Sequence, residues 1–242
     1  MDLLLLSLVA FSTSLLTAVI GLGGGVLLML VMPGFIPLTV ILPVHAWVQF
    51  ASNVTRVGFA LDQVSWSLLP PLLLGSLVGA GLGAALVDVI TLDAWPLVAG
   101  LVILIVTWLP IDRWLPIDRA ALFFLGFYQT GLGMVAGATG PLGAAILAKI
   151  RIDRDWLVVN TGLYMTLNHG IRGIAFGLMG FTLGAWWLWV VAMSIATLLG
   201  SWVGTRLRSR VPQRNFVGLF RWVVTLLALR LMWMAGSERV LA

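Results

Sequence analysis

Long apolar runs recur along the chain, broken at intervals by short clusters of Pro, Gly or charged residues. Crossing a hydrocarbon core takes roughly 20 apolar residues, and eight segments come near or exceed that length. They cover about 3 to 31, 38 to 60, 65 to 87, 94 to 110, 120 to 148, 156 to 179, 182 to 205 and 216 to 235. The runs are continuous and Leu-rich, whereas a transmembrane barrel needs alternating segments of roughly ten residues. The pattern therefore predicts an all-α integral membrane protein of about eight transmembrane helices, with no stretch left over for a soluble domain. The opening MDLLLLSLVAFSTSLLTAVI lacks a basic n-region and is long for a signal peptide, so it is expected as a helix of the mature protein.

Composition agrees with the pattern. Of the 242 residues, 61% are hydrophobic and 10% charged, against roughly 25% charged in an ordinary soluble domain. The net charge of +5 sits in short loops between apolar spans, which speaks for topogenic charge and against nucleic acid as a partner. Without cysteine there is no thiolate site, and two histidines argue against haem or a metal centre, so no cofactor is expected. If all eight segments cross, the basic loops holding Lys149, Arg151 and Arg154 and holding Arg206, Arg208, Arg210 and Arg214 share one side. Arg113 and Arg119, balanced by Asp112 and Asp118, then face the other. The Lys/Arg bias puts the first side in the cytoplasm and both termini outside. Many of the twelve tryptophans, including Trp66, Trp95, Trp108, Trp114, Trp156, Trp187 and Trp233, fall near span ends, as interfacial anchors do.

The chain repeats itself. GSLVGAGLG at 75 to 83 matches GSWVGTRLR at 200 to 208, an offset of 125, while GLGGG at 21 to 25 corresponds to GATGP at 137 to 141 and Arg56 to Arg172, both at an offset of 116. The simplest organisation is a first transmembrane repeat over 1–110, a connecting loop over 111–119 and a second repeat over 120–242, with four spans in each half and the same orientation for both. The loop lies in a tandem hexapeptide, WLPIDRWLPIDR, whose prolines and Asp-Arg pairs suit a duplicated turn.

Both halves begin with a segment too long for one straight crossing and interrupted by glycine: Gly23, Gly24 and Gly25 in the first, Thr139 and Gly140 beside Pro141 in the second. Broken helices at matching positions are a strong sequence pointer to a transporter's binding site, because unwound backbone and half-helix N-termini face the substrate at mid-membrane. Close helix packing is the competing explanation for the glycines. Arg56 and Arg172 each fall within an apolar span, where an arginine costs about 2.5 to 3.5 kcal/mol and needs a partner or a wet cavity. Gln49, Asn53 and Arg56 are spaced i, i+4, i+7, and Asn168 and Arg172 i, i+4, so each arginine heads a polar stripe. These stripes form the candidate site for a small anion, with snorkelling of either guanidinium to the interface as the alternative. His169 joins the second stripe as a substrate donor, a proton-linked switch or a satisfied buried imidazole. His45 is expected at the interface, and no carboxylate falls inside a span.

The Gly-rich break early in each half, the Arg-bearing second helix, the ALDQVSW turn and the repeated GSxVG helix resemble the sulfite exporter TauE/SafE family over nearly the whole chain. That resemblance implies a bacterial or archaeal inner-membrane carrier of about eight helices in two similar halves. It would move sulfite, sulfoacetate or related sulfur-containing anions by alternating access, as an exporter. Thr139 and Pro141 stand where the family pattern is usually glycine. The oligomeric state is open, a homodimer included. Two other readings compete: an intramembrane enzyme acting on a lipid phosphate, for which Ser52, Thr55 and His169 are present but no carboxylate, and a non-transporting membrane subunit, which leaves the matching stripes unexplained.

Overall fold

The computed structural model describes residues 1–21, 23–109, 118–137, 140–151, 153–210 and 216–240. Among them the chain is helical throughout, with ten α-helices: α1 (Asp2–Ile20), α2 (Gly24–Val31), α3 (Leu38–Gly58), α4 (Leu69–Val89), α5 (Trp95–Trp108), α6 (Arg119–Ala136), α7 (Gly140–Ile150), α8 (Arg154–Leu178), α9 (Trp187–Leu207) and α10 (Phe216–Val240). Local chemistry sets several of the ends. Asp118 and Asp153 cap α6 and α8 by accepting from the N–H groups of Ala121 (2.7 Å) and Trp156 (2.8 Å). Gly21, at φ 96°, stops α1, and Gly137, at φ 73°, stops α6; only glycine enters that left-handed region freely.

The glycine breaks do more than interrupt a crossing helix. At the first, the Gly24 N–H donates to Thr17 Oγ1 (2.9 Å), and a Cβ added to Gly24 would lie 1.9 Å from the Thr13 carbonyl oxygen, so α2 starts back along the helix that preceded it. Further contacts fix its direction. Gly25 packs on Gln49 of α3, while Met29 meets Leu42 of α3 at Gly137, so α2 runs antiparallel to α3. Helix α1 runs with α9, because Gly200 sits on Phe11 and Gly204 on Leu15. One cavity joins the start of α3 to Phe181 just before α9, and another joins Ala60 to Thr205, so α9 in turn runs with α3. Thus α1 and α2 form a hairpin, and the expected single long span is two limbs that enter and leave on one side. In the second half, Gly143 meets Tyr164 while Ile146 and Leu147 join a cluster with Trp156, so α7 likewise doubles back from α6.

This reversal changes the expected topology. A hairpin plus three crossing helices is an odd number of crossings, so α1–α5 and α6–α10 run in opposite directions rather than in the same orientation. The same two cavities show it: one joins Leu38 and Leu42 to Phe176 and Met179, the other joins Ala60 and Asp62 to Arg154 and Asp155, so α3 and α8 are antiparallel. Helix α6 runs with α4, since Gly75 sits on Phe123 and Gly79 on Phe127. Arg119, at the start of α6, therefore shares a side with Arg151, Arg154, Arg206, Arg208 and Arg210 instead of facing them, and the Lys/Arg asymmetry is steeper than expected. Arg113 and Trp114 lie outside the described residues.

The GSxVG repeat has a packing role. A Cβ at Gly75 or Gly79 would stand 1.9 or 2.1 Å from the carbonyl oxygens of Phe123 and Phe127, and one at Gly200 or Gly204 would stand 2.2 or 2.5 Å from those of Phe11 and Leu15. Each half thus presses its GSxVG helix, backbone to backbone, onto the first helix of the other half, as small residues allow in a membrane where apolar burial gives little drive. Ser14 ties α1 to α3 and α9 through Ser52 and Ser201, both at 2.8 Å. The outward faces of α4 and α9, with Leu73, Leu74, Leu77, Leu188, Val191 and Ile195, are apolar and exposed, as lipid-facing surface is. Among the described residues, three helices are both long and apolar enough to cross a membrane: Asp2–Ile20, Trp66–Val89 and Gly184–Leu207. Helices α3 and α8 are long enough too, with 21 and 25 residues, but carry buried polar side chains. Not every tryptophan is an anchor: Trp95 and Trp156 are buried, bonded to the Val135 carbonyl (2.7 Å) and to Ser65 Oγ (2.8 Å).

Candidate functional site

The polar stripe on α3 faces a cavity. Its volume is about 40 Å³, so a few waters or one compact anion would fill it. From α3 come His45, Gln49, Asn53 and Arg56, and from the first hairpin Thr17, Gly21, Gly23, Gly25 and Val26. From α8 come Thr161, Met165, Asn168 and His169. Gln49, Asn53, Asn168, His169, Gly23 and Gly25, chosen from the sequence as candidate ligands, thus meet at one place with Arg56.

The offset of 116 that relates Arg56 to Arg172 also relates the lining. It carries His45 to Thr161, Gln49 to Met165 and Asn53 to His169, and all six line the cavity. The two antiparallel helices therefore present the same register positions to it, but with different chemistry: four polar side chains from α3, against a threonine, a methionine and a histidine from α8 at the matching places. The fourth pair parts company. Arg56 lines the cavity, whereas Arg172 points its Nη1 to the Gly137 carbonyl (2.9 Å) and to His169 Nδ1 (3.2 Å), with its side chain against Gly133.

Neither guanidinium snorkels, since Arg56 is 2% and Arg172 1% exposed. Neither forms an ion pair among the described residues, whereas Arg208 pairs with Asp155 at 3.1 Å. Arg56 Nε is buried without a hydrogen-bond partner. Arg172 leaves Nε and Nη2 unpartnered but commits Nη1 to the second break. The start of α2 adds donors: the N–H groups of Gly25 and Val26 belong to the first turn, which has no intrahelical acceptors, and the helix dipole favours an anion there.

Gly24 does not line the cavity; its N–H is held by Thr17, and its place is in closing the hairpin. Gly140 opens α7, and Thr139 lies outside the described residues. His45 is a correction. Expected at the interface, it is fully buried, lines the cavity, donates from Nε2 to the Gly25 carbonyl (2.9 Å), and meets the His169 ring edge to face at 5.5 Å. A signal was available, because His45, Gln49, Asn53 and Arg56 are spaced 4, 4 and 3 apart and so share one helix face. Thr17 and Thr161 were missed as well, although Ser14 lies one turn before the first and Asn160 directly before the second.

Two larger cavities lie toward the two ends of the bundle. One, of about 350 Å³, has Arg154 and Arg208 beside Asp62, Asp155 and Thr205. There burial pulls the Arg208 guanidinium below its ordinary value, and the nearby Asp155 carboxylate works the other way. The other, of about 310 Å³, is mostly apolar, with Leu42, Trp95, Val135 and Phe176. Leu42, in its lining, crowds together with Met29 against Gly137.

No curated protein and no solved structure matches the chain. The family model described as sulfite exporter TauE/SafE matches residues 6–231 of the 242, a span that takes in both hairpins, both arginines and both GSxVG helices. The chain belongs to the sulfite exporter TauE/SafE family.

Proposed function

We propose that this protein exports a small sulfur-containing anion such as sulfite or sulfoacetate across a bacterial or archaeal inner membrane, and that the central cavity is its binding site. Family membership gives the coarser statement, a multi-pass membrane protein of the sulfite or anion exporter type. One observation carries the finer one: a buried arginine with no ion-pair partner, Arg56, opens onto a cavity lined by amides, imidazoles and the start of a helix. A cation so placed is costly unless something answers its charge, and an oxyanion does so with charge-assisted hydrogen bonds. Gln49, Asn53, Asn168 and His169 would orient the anion. Among the described residues no Asp or Glu lines the cavity, which favours carriage over the acid–base chemistry that a lipid phosphatase needs.

In this reading the arginine-rich end is cytoplasmic and both termini lie outside. Anions would gather in the cavity beside Arg154 and Arg208, reach Arg56, and leave past Met29 and Leu42 through the apolar cavity beyond. With the cell interior negative, outward movement of one monovalent anion gains about 2.3 kcal/mol per 100 mV, so no coupled ion is required. Alternating access would rock units that cross the sequence boundary between repeats 1–110 and 120–242, because the backbone contacts of α1 with α9 and of α4 with α6 leave neither repeat free to move alone. The test is flux of sulfite, sulfoacetate, a carboxylate and a halide in proteoliposomes under an imposed potential. Sulfur oxyanions should move fastest and Arg56→Gln should stop them; wild-type flux no greater than that of empty liposomes would end the proposal.

A further inference from the structure

Around the central cavity, three buried polar atoms of its lining have no hydrogen-bond partner: Arg56 Nε, His45 Nδ1 and Thr161 Oγ1. They differ in kind. Arg56 Nε can only donate, and a threonine hydroxyl both donates and accepts. His45 is fixed by its other nitrogen: Nε2 faces the Gly25 carbonyl, which only accepts, so Nε2 carries the proton and Nδ1 of the neutral ring presents a lone pair. The neighbouring His169 is the reverse case, because its Nδ1 accepts from Arg172, leaving the proton of its neutral ring on Nε2. The edge-to-face imidazole pair, 5.5 Å between centroids, therefore brings one acceptor and one donor to the same cavity.

Resting on the transport reading, we infer that the site selects an oxyanion that still carries one proton, with His45 Nδ1 accepting the hydrogen bond from its hydroxyl while Arg56 and His169 donate to its charged oxygens. A fully deprotonated or alkyl-capped anion would satisfy the donors and leave Nδ1 bare. Of the two anions proposed above, the site therefore prefers hydrogensulfite and takes sulfoacetate, an alkyl sulfonate, only with its carboxyl protonated. A buried acceptor left unmade is what lets a polar site reject an analogue that lacks the matching hydroxyl. Thr161, at the register position on α8 that matches His45 on α3, faces the same ligand from the opposite helix and adapts to either role.

The probes are hydrogensulfite and methanesulfonate, close in size and equal in charge, compared in proteoliposomes at one mildly acidic pH under one imposed potential. Wild-type protein should move hydrogensulfite at least about tenfold faster. His45→Gln places an amide N–H within reach of the Gly25 carbonyl but removes Nδ1, and should bring the hydrogensulfite rate down toward that of methanesulfonate. His45→Asn restores a polar atom near Nδ1 and gives up the Gly25 bond; it should keep most of the preference at a lower melting temperature. Equal wild-type rates for the two anions would overturn the inference and leave transport standing, with water as the partner of Nδ1. A His45→Gln protein slowed equally for both would also overturn it, making the residue a strut for the hairpin. No flux of either anion by wild-type protein would remove the transport reading and this inference with it.

Discussion

Helices α3 and α8 carry the same arginine at the same register, and the structure uses the two differently. On α3, Arg56 opens onto the cavity with Nε unengaged. On α8, Arg172 turns to the second break, where Nη1 holds the Gly137 carbonyl and His169 Nδ1. In the first break the carbonyl held is that of Gly25, four residues beyond the position matching Gly137, and its partner is His45. Each break thus has a side chain from a long polar helix pinning a backbone carbonyl, an imidazole on Gly25 at the start of α2 in one half and a guanidinium on Gly137 at the end of α6 in the other. A pseudo-symmetric pair of helices has in this way placed one guanidinium on the cavity and turned the other to the second break.

The largest expected effect tests the hairpins themselves. Gly24→Ala would set a methyl group 1.9 Å from the Thr13 carbonyl oxygen, where backbone cannot yield, and should leave no monodisperse protein in detergent; a well-behaved elution peak would show that the hairpin tolerates opening. Next is Arg56→Gln, expected to cut anion flux by about 100-fold or more through loss of charge-assisted hydrogen bonds, with little change in melting temperature. Were stability to fall and flux to persist, Arg56 would be the strut and the comparison would invert. For Arg172→Gln we expect about a tenfold loss of flux together with a clear drop in melting temperature, since it releases Gly137 and leaves His169 unanchored; full stability would refute the strut assignment. The smallest effect should come from Gly143→Ala in the second hairpin. The nearest atoms there, at 2.1 to 2.7 Å, belong to the Tyr164 side chain rather than to backbone, so a cost of about 1–3 kcal/mol in thermal unfolding is expected. A loss as severe as that of Gly24→Ala would make the two breaks equally rigid.

Much of the site was legible because helical periodicity is local. Gln49, Asn53 and Arg56 share a face by spacing alone, and extending that spacing four residues back reaches His45. The offset of 116 likewise held the pairing of α3 with α8, though nothing in a linear string says that Thr161 and Met165 would stand opposite His45 and Gln49 across a cavity. Arg172 was harder, because its spacing from Asn168 places it on the stripe while its long side chain reaches away, toward a carbonyl 35 residues earlier in the chain. The GSxVG repeat was visible as a repeat, but its purpose depended on which helix came to lie against it.

Membrane residence, helical class and the location of both breaks followed from the sequence, since each depends on residues close together: apolar runs long enough to span, and glycines where the chain cannot continue as a helix. Direction was decided by tertiary contacts. Glycine at 21 and 23 permits a straight continuation or a reversal at similar local cost, and the choice is made by Gly24 seating on Thr13 and Thr17 and Gly25 on Gln49. That reversal changes the parity of crossings, inverts one half against the other, brings Arg119 to the arginine-rich side and turns α3 to face α8. A local pattern cannot carry such information, because the energy that selects it comes from groups brought together only when the chain has folded.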